Sequence, residues 1–162
     1  MIIREAEVSD LPQILEILNY EIKETFNIYD SRAWDMKQIK QWFNSKKTDR
    51  FPVFVAEIDG LVLGYATYGS FRKWEGYKPT VEHSIYIKSQ QRKQGVGQRL
   101  MKHLIDQARA QGFCNMIAGI DSQNKNSVAF HRHFNFKEVG FLPNIATKHD
   151  QILNLCLMQL EL

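Results

Sequence analysis

The run Arg92-Lys93-Gln94-Gly95-Val96-Gly97 stands between a β-rich stretch and a long segment of helical periodicity. At such a turn the first N–H groups of a helix and the positive end of its dipole face one small volume, which suits an anion. Gly95 and Gly97 lack Cβ atoms, so the backbone can take unusual angles and approach a diphosphate closely. Arg92, Lys93 and Arg99 add positive charge. No Gly-Lys-Ser/Thr follows, and Leu100 occupies the last glycine position of a G-x-G-x-x-G pattern, so both common nucleotide motifs are unmatched. The alternative is an ordinary strand-to-helix turn.

Glu82 lies upstream, near the start of a strand predicted over 81–87. A carboxylate there can take a proton from a substrate ammonium, directly or through water; otherwise it is a solvated strand-end acid or an ion-pair partner. His83 follows and, by strand alternation, faces the other side of the sheet, so both line one pocket only if the strand bulges. A structural role for His83 is the first reading. His131 carries an imidazole that titrates near neutral pH and can supply a proton; otherwise it is a satisfied buried histidine. His133 reads as structural. The stretch Phe71-Arg72-Lys73-Trp74-Glu75-Gly76-Tyr77 mixes cations with rings. Arg72 can grip a carboxylate while Trp74 and Tyr77 wall a small side chain, or the loop belongs to a homodimer interface. Phe26 and Tyr29 either close the pocket or join the core.

These residues need elements to position them. Ile2 to Ala6 reads as a strand, followed by a helix capped by Ser9 or Asp10, with Leu11, Ile14, Leu15, Leu18 and Ile22 as its apolar face. A second helix begins at Asp35, with Met36, Ile39, Trp42 and Phe43 as its stripe, and gives way to a polar connection over 46–50. Strands over 51–57 and 61–70 flank Asp59-Gly60, a hairpin signal. After the 71–80 loop and the 81–87 strand comes a helix with Leu100, Met101, Leu104, Ile105 and Ala108 inward and Gly112 as its C-terminal cap. A strand over 115–121 completes a parallel β-α-β unit. A short helix over 127–134, for which Asn126 is a candidate cap, precedes strands over 137–142 and 152–160 joined by a loop containing Pro143. The order predicts an α/β (α+β) domain, a mixed sheet covered by helices on both faces.

The chain has 162 residues, 44% apolar and 24% charged, which fits one domain over 1–162. No apolar run is long enough to span a membrane, and the start MIIREAEVSD lacks the order of a signal peptide. Cys114 and Cys156 sit apart in apolar contexts, as reduced cysteines of cytoplasmic proteins do. The net charge of +3 is scattered, without a basic run, so a nucleic-acid partner is not indicated.

The R-x-x-G-x-G run between strand and helix resembles motif A of the GNAT superfamily of acyl-CoA-dependent N-acetyltransferases. More narrowly, GYATYGSFRKWEGYKPTVEHSIYI, QGFCNMIAGIDSQNKNSVAFHRHFNF and the terminal MQLEL look like the phosphinothricin and methionine sulfoximine N-acetyltransferases. The resemblance implies the GNAT fold, a mostly antiparallel twisted sheet of about seven strands around a central parallel β-α-β unit. It implies acetyl-CoA as co-substrate, without a metal. The diphosphate would lie on Arg92, Lys93, Gln94, Gly95, Val96, Gly97 and Gln98, and the pantetheine arm on the backbone of Ile85, Tyr86 and Ile87, with Asn124 and Ser127 as further contacts. It implies Glu82 as the base, and His131 at the place of a tyrosine that protonates the leaving thiolate. For a small amine acceptor the candidate residues are Arg72, Lys73, Trp74, Tyr77, Glu82, His83 and Ser84, and the chain is expected to form a homodimer. Two departures stand out: Lys148 is followed by His149-Asp150-Gln151-Ile152-Leu153-Asn154, without the tryptophan and aspartate usual there, and Asn135 replaces a glycine. Other readings are a GNAT enzyme for a polyamine, an antibiotic or a protein N-terminus, and a non-catalytic acyl-CoA-binding module.

Overall fold

The computed structural model describes residues 1–162. Seven strands form one sheet in the order β1-β2-β3-β4-β5-β7-β6: β1 (Ile2–Glu5), β2 (Val53–Ile58), β3 (Leu61–Ser70), β4 (Thr80–Ile87), β5 (Asn115–Asp121), β6 (Lys137–Lys148) and β7 (Gln151–Glu161). Helices α1 (Leu11–Glu24) and α2 (Met36–Thr48) bury one face of it, and α3 (Val96–Ala110) and α4 (Lys125–His133) lie with the opposite core. All strand pairs are antiparallel except β4 with β5, the predicted β-α-β unit.

Helix α3 shows why the sequence folds this way. Leu100, Met101, Leu104, Ile105 and Ala108 recur at helical spacing and are all buried, each of the larger ones contributing about 1.5–3 kcal/mol. Gly112, at φ +82°, then ends the element. In α1 the buried set is Leu11, Ile14, Ile17, Leu18 and Ile22, joined by a carboxylate, Glu21. Asp35 caps α2 reciprocally with Gln38. The Asp59-Gly60 turn has both residues at positive φ, as a two-residue hairpin requires.

Four expectations are corrected. Helix α2 does not stop at Lys46 but runs to Thr48, because the Lys46 ammonium folds inward and donates to the Tyr68 carbonyl at 2.7 Å. Neither Ser9 nor Asp10 caps α1 with its side chain. A short 3-10 turn, Val8–Asp10, precedes the helix, and Asp10 instead caps that turn and binds Arg4. Strand β6 continues through Pro143 to Lys148, and the turn falls at His149-Asp150, both at positive φ. Pro143 lies where the register breaks between Leu142 and Ala146 on an edge strand, so its missing N–H costs no ladder bond. Finally, Asn124 rather than Asn126 caps α4, its Oδ1 accepting from Ser127 N–H at 3.0 Å.

One feature of the sheet positions the site. Strands β4 and β5 pair only from Thr80–Glu82 against Asn115–Ile117. Beyond that point they part, while β4 stays paired to β3 as far as Ile87 and β5 to β7 as far as Asp121. On its other side β4 is pressed against β3: a Cβ on Gly64 would meet the Ile87 side chain at 2.6 Å and the Tyr86 carbonyl at 2.7 Å.

Candidate active site

The gap between β4 and β5 opens onto two cavities. The larger, about 490 Å³, runs along the start of α3. Its walls include Arg92, Lys93, Gly95, Gly97 and Gln98 from the turn, Ile85, Tyr86 and Ile87 from β4, and Asn124, Ser127 and His131 around α4. Gly95 takes φ +79°, so the chain turns sharply into α3 with its free N–H groups on the cavity side. A Cβ on Gly97 would meet Phe130 and Ile87 at 3.5–3.7 Å, ordinary contact distance, so a methyl group would fit there.

The smaller cavity, about 320 Å³, is lined by Glu82, His83, Ser84, Tyr29, Gly119, Asp121 and others. Residues of both parities on β4 line it, which alternation alone forbids. The splaying of the strands, not a bulge, resolves this, since the open edge of β4 is reached from either face. Lys88 N–H donates to Leu63 of β3 at 2.8 Å, so by the two-residue repeat the peptide N–H groups of Ile85 and Ile87 point away from β3, into the opening.

Glu82 is exposed to this pocket, and its Oε1 would lie 3.3 Å from a Cβ on Gly119. The glycine thus leaves the space that the carboxylate occupies. Surrounding protein raises the Glu82 carboxyl above the usual range, and the positive field of Arg72 opposes that rise. His83 is buried and its Nε2 stands 3.1 Å from Nε2 of His131. Burial pushes His83 well below the usual imidazole value, with His131 adding to the effect. Burial also lowers His131, against a hydrogen bond to the Ser127 carbonyl that favours its protonated form.

A polar framework lies under both cavities. Arg92 is ion-paired with the buried Glu21, which also accepts from Thr25 Oγ1 at 2.9 Å and Asn27 Nδ2 at 2.7 Å. Asn27 Oδ1 in turn accepts from Asn124 Nδ2 at 2.7 Å. The Tyr29 hydroxyl reaches Asp121 Oδ2 at 2.9 Å, and burial with that carboxylate holds the phenol protonated. Lys148 donates to the carbonyls of Thr25 and Ile28, both at 2.6 Å, pinning the segment that carries Asn27 and Tyr29.

Most of the residues proposed from sequence converge on this gap, and a few do not. Val96 is buried in the core, leaving only its peptide group for a ligand, and Gln94 turns its side chain back to Gln90. Arg72, Lys73, Trp74 and Tyr77 line neither cavity, although the charge of Arg72 is felt at Glu82, and Trp74 is 75% exposed. Sequence reasoning missed Glu21, Asn27, Gly119 and Asp121. Only Glu21 carried a signal: a carboxylate inside the apolar stripe of a helix is seldom buried without a partner.

The acetyltransferase (GNAT) family matches residues 14–136, and the chain belongs to that family. It is an N-acetyltransferase by that membership and by its relatives. It is 41% identical to an L-methionine sulfoximine/L-methionine sulfone acetyltransferase of Pseudomonas aeruginosa over 99% of this chain and 94% of the relative. It is 30% identical to a phosphinothricin N-acetyltransferase of Streptomyces viridochromogenes over 91% and 80%. Among solved structures, a ribosomal-protein-alanine N-acetyltransferase from Brucella melitensis superposes with a TM-score of 0.99 at 39% identity, covering 100% of both chains. An acetyltransferase from Salmonella typhimurium, solved with its cofactor acetyl-CoA, superposes with a TM-score of 0.97 at 36% identity, covering 99% and 93%.

Proposed function

We propose that this chain, acting as one catalytic domain, moves the acetyl group of acetyl-CoA to the primary amine of a small amino-acid-like substrate of the methionine sulfoximine or phosphinothricin kind. The observation that carries this reading is the meeting of the two cavities, which share Asn27, Ile85, Tyr86, Asn124, Ser127 and His131. A diphosphate on the α3 turn and an arm along the open edge of β4 would bring the thioester to the pocket that contains Glu82.

There Glu82 takes a proton from the substrate ammonium, directly or through water. The freed lone pair attacks the thioester carbonyl carbon, forming the C–N bond. Negative charge gathers on the carbonyl oxygen, where an inward N–H of β4 is available to stabilise it. The C–S bond then breaks and the thiolate leaves. The positive field that Arg72 exerts at Glu82 from outside the cavity wall favours a carboxylate-bearing acceptor, which that charge would attract.

A second reading keeps the chemistry and changes the acceptor to a protein N-terminus, favoured by the name of the Brucella relative. A thiol-release assay with methionine sulfoximine, phosphinothricin, free amino acids, polyamines and short peptides separates the two. Turnover confined to peptides or polyamines would overturn the amino-acid reading.

The protein is further proposed to act as a cytoplasmic homodimer. Cys114 and Cys156 are both free thiols, and no helix is long and apolar enough to cross a membrane. Strand β6 is a 12-residue sheet edge bearing exposed Val139, Phe141 and Ile145, a liability that a second copy would cover. Sedimentation analysis giving a monomer at micromolar concentration would remove the dimer.

A further inference from the structure

The two imidazoles between β4 and α4 constrain each other's protons. His131 Nδ1 stands 2.7 Å from the carbonyl oxygen of Ser127, which can only accept, so Nδ1 carries a hydrogen. With the ring neutral, His131 Nε2 is then a lone pair. The atom 3.1 Å from it, His83 Nε2, must be the donor. That leaves His83 Nδ1 as an unprotonated nitrogen, and it is the one buried side-chain polar atom without a hydrogen-bond partner.

The rings stack with centroids 5.1 Å apart and an interplanar angle of 28°, and Phe136 packs edge-on against both. Phe130 closes His131 from a third side. The titratable groups sharing the pocket are Glu82 and Tyr86 on β4, Asp121 on β5 and Tyr29 from the segment between α1 and α2, and none of them is bonded to either ring. The pair therefore has a single satisfied neutral arrangement, and adding one proton forces a new N–H onto the dry Nδ1 of His83.

We propose that His83 is a positioning residue that locks His131 as a neutral, Nδ1-protonated imidazole with its Nε2 occupied, so that the leaving thiolate takes its proton from water and not from His131. The inference rests on the acetyl-transfer reading for its kinetic part. Protons balance without the pair: the substrate ammonium gives one to Glu82, which passes it to solvent, the tetrahedral adduct then loses a second to solvent, and the departing CoA thiolate takes one back from water, so one proton is released per turnover. The role of His131 is then mechanical, tying the first turn of α4 to β4.

The test is nitrogen-15 NMR of histidine-labelled protein across the pH range of activity, which reports the tautomer without any turnover. His131 is expected to show an Nδ1–H, Nε2-lone-pair pattern that stays flat, and His83 the reverse pattern. An Nε2–H tautomer for His131, or a titration of His131 inside the active range, overturns the proposal. In a second arm, His83→Phe removes the donor, and the His131 Nε2 resonance is expected to move downfield, as a ring nitrogen that has lost its hydrogen bond does. A His131 Nε2 resonance unmoved in folded His83→Phe also overturns it. In kinetics, the wild-type kcat profile is expected to lack an alkaline limb in the imidazole range. Such a limb, abolished by His131→Gln, would restore His131 as the acid. Failure of every amine to turn over, with the NMR pattern intact, would fault the functional reading and leave the lock standing.

Discussion

Arg92, on the turn that leads into α3, is ion-paired with Glu21 of α1, a carboxylate whose side chain is 1% exposed while the arginine side chain is 42% exposed. The turn that faces the larger cavity is thereby tied to a helix on the opposite face of the sheet. It is also tied, through Asn27 and Asn124, to the cap of α4. Part of the positive charge that the sequence offers to an anion at this turn is already engaged in holding a buried acid.

Removing the cation should therefore cost more than a surface ion pair would. Arg92→Met strands the Glu21 charge, with an expected loss of about 3 kcal/mol in urea unfolding. The double variant Arg92→Met with Glu21→Gln should recover a substantial part of that loss, since the uncompensated charge goes with it. Equal stability of single and double variants would show that the pair is not coupled.

Glu82→Gln separates chemistry from binding. The expected result is a fall in kcat of about 10²- to 10⁴-fold with unchanged affinity for acetyl-CoA by calorimetry. Because the folded protein raises the Glu82 carboxyl, its stabilising protonation is complete below the ordinary carboxylate value and is lost as pH rises through the folded one. At neutral pH the wild-type carboxylate thus weighs against folding, and the amide variant should melt higher. Undiminished turnover would take Glu82 out of the mechanism.

Lys148 is buried and donates to two carbonyls of the segment before α2, a position whose partners no spacing rule reveals. Lys148→Met leaves the Thr25 and Ile28 carbonyls to find other donors, an expected cost of about 1–3 kcal/mol. It also loosens the backbone that carries Tyr29 into the acceptor pocket. The KM for the amine should rise severalfold and by more than the KM for acetyl-CoA, because Tyr29 borders only the smaller cavity while Asn27 borders both. A parallel rise in both would mean that the segment serves the two cavities alike.

Lys46 offers a pH-dependent stability effect far from the site. Burial lowers its ammonium to about 8 from the ordinary 10.5. For a base held below its ordinary value, the associated stability is present above 10.5 and is lost as pH falls through about 8. The charged form is thus a burden at pH 7. Lys46→Met should raise stability there by about 1–3 kcal/mol, net of the 2.7 Å ammonium donor that the Tyr68 carbonyl loses. The gain should shrink steadily between the two values. A destabilised Lys46→Met at pH 7 would mean that the contact with the Tyr68 carbonyl outweighs the desolvation.

How far the fold was legible follows from which forces are local. The Asp59-Gly60 hairpin, the inward face of α3 and the parallel β4–β5 unit were all readable, because turn chemistry, helical periodicity and crossover handedness act over short stretches of chain. The β6–β7 turn was misplaced. Pro143 is a strong punctuation mark locally, but whether it breaks a strand depends on the strand being an edge, which is a property of the finished sheet. The cap of α4 was off by two residues for a similar reason, since both Asn124 and Asn126 are chemically suited to the role.

The sequence by itself determined the glycine turn, the carboxylate at position 82, the histidine at 131 and the order of elements that brings them near one another, since each is written in neighbouring residue types. Only the tertiary structure decided that β4 and β5 part after Glu82, that one pocket admits residues from both faces of a strand, and that Glu21, Asn27 and Lys148 brace it. Those relationships join residues far apart in the chain, and their energies come from burial and electrostatics that exist only once the sheet has closed around them.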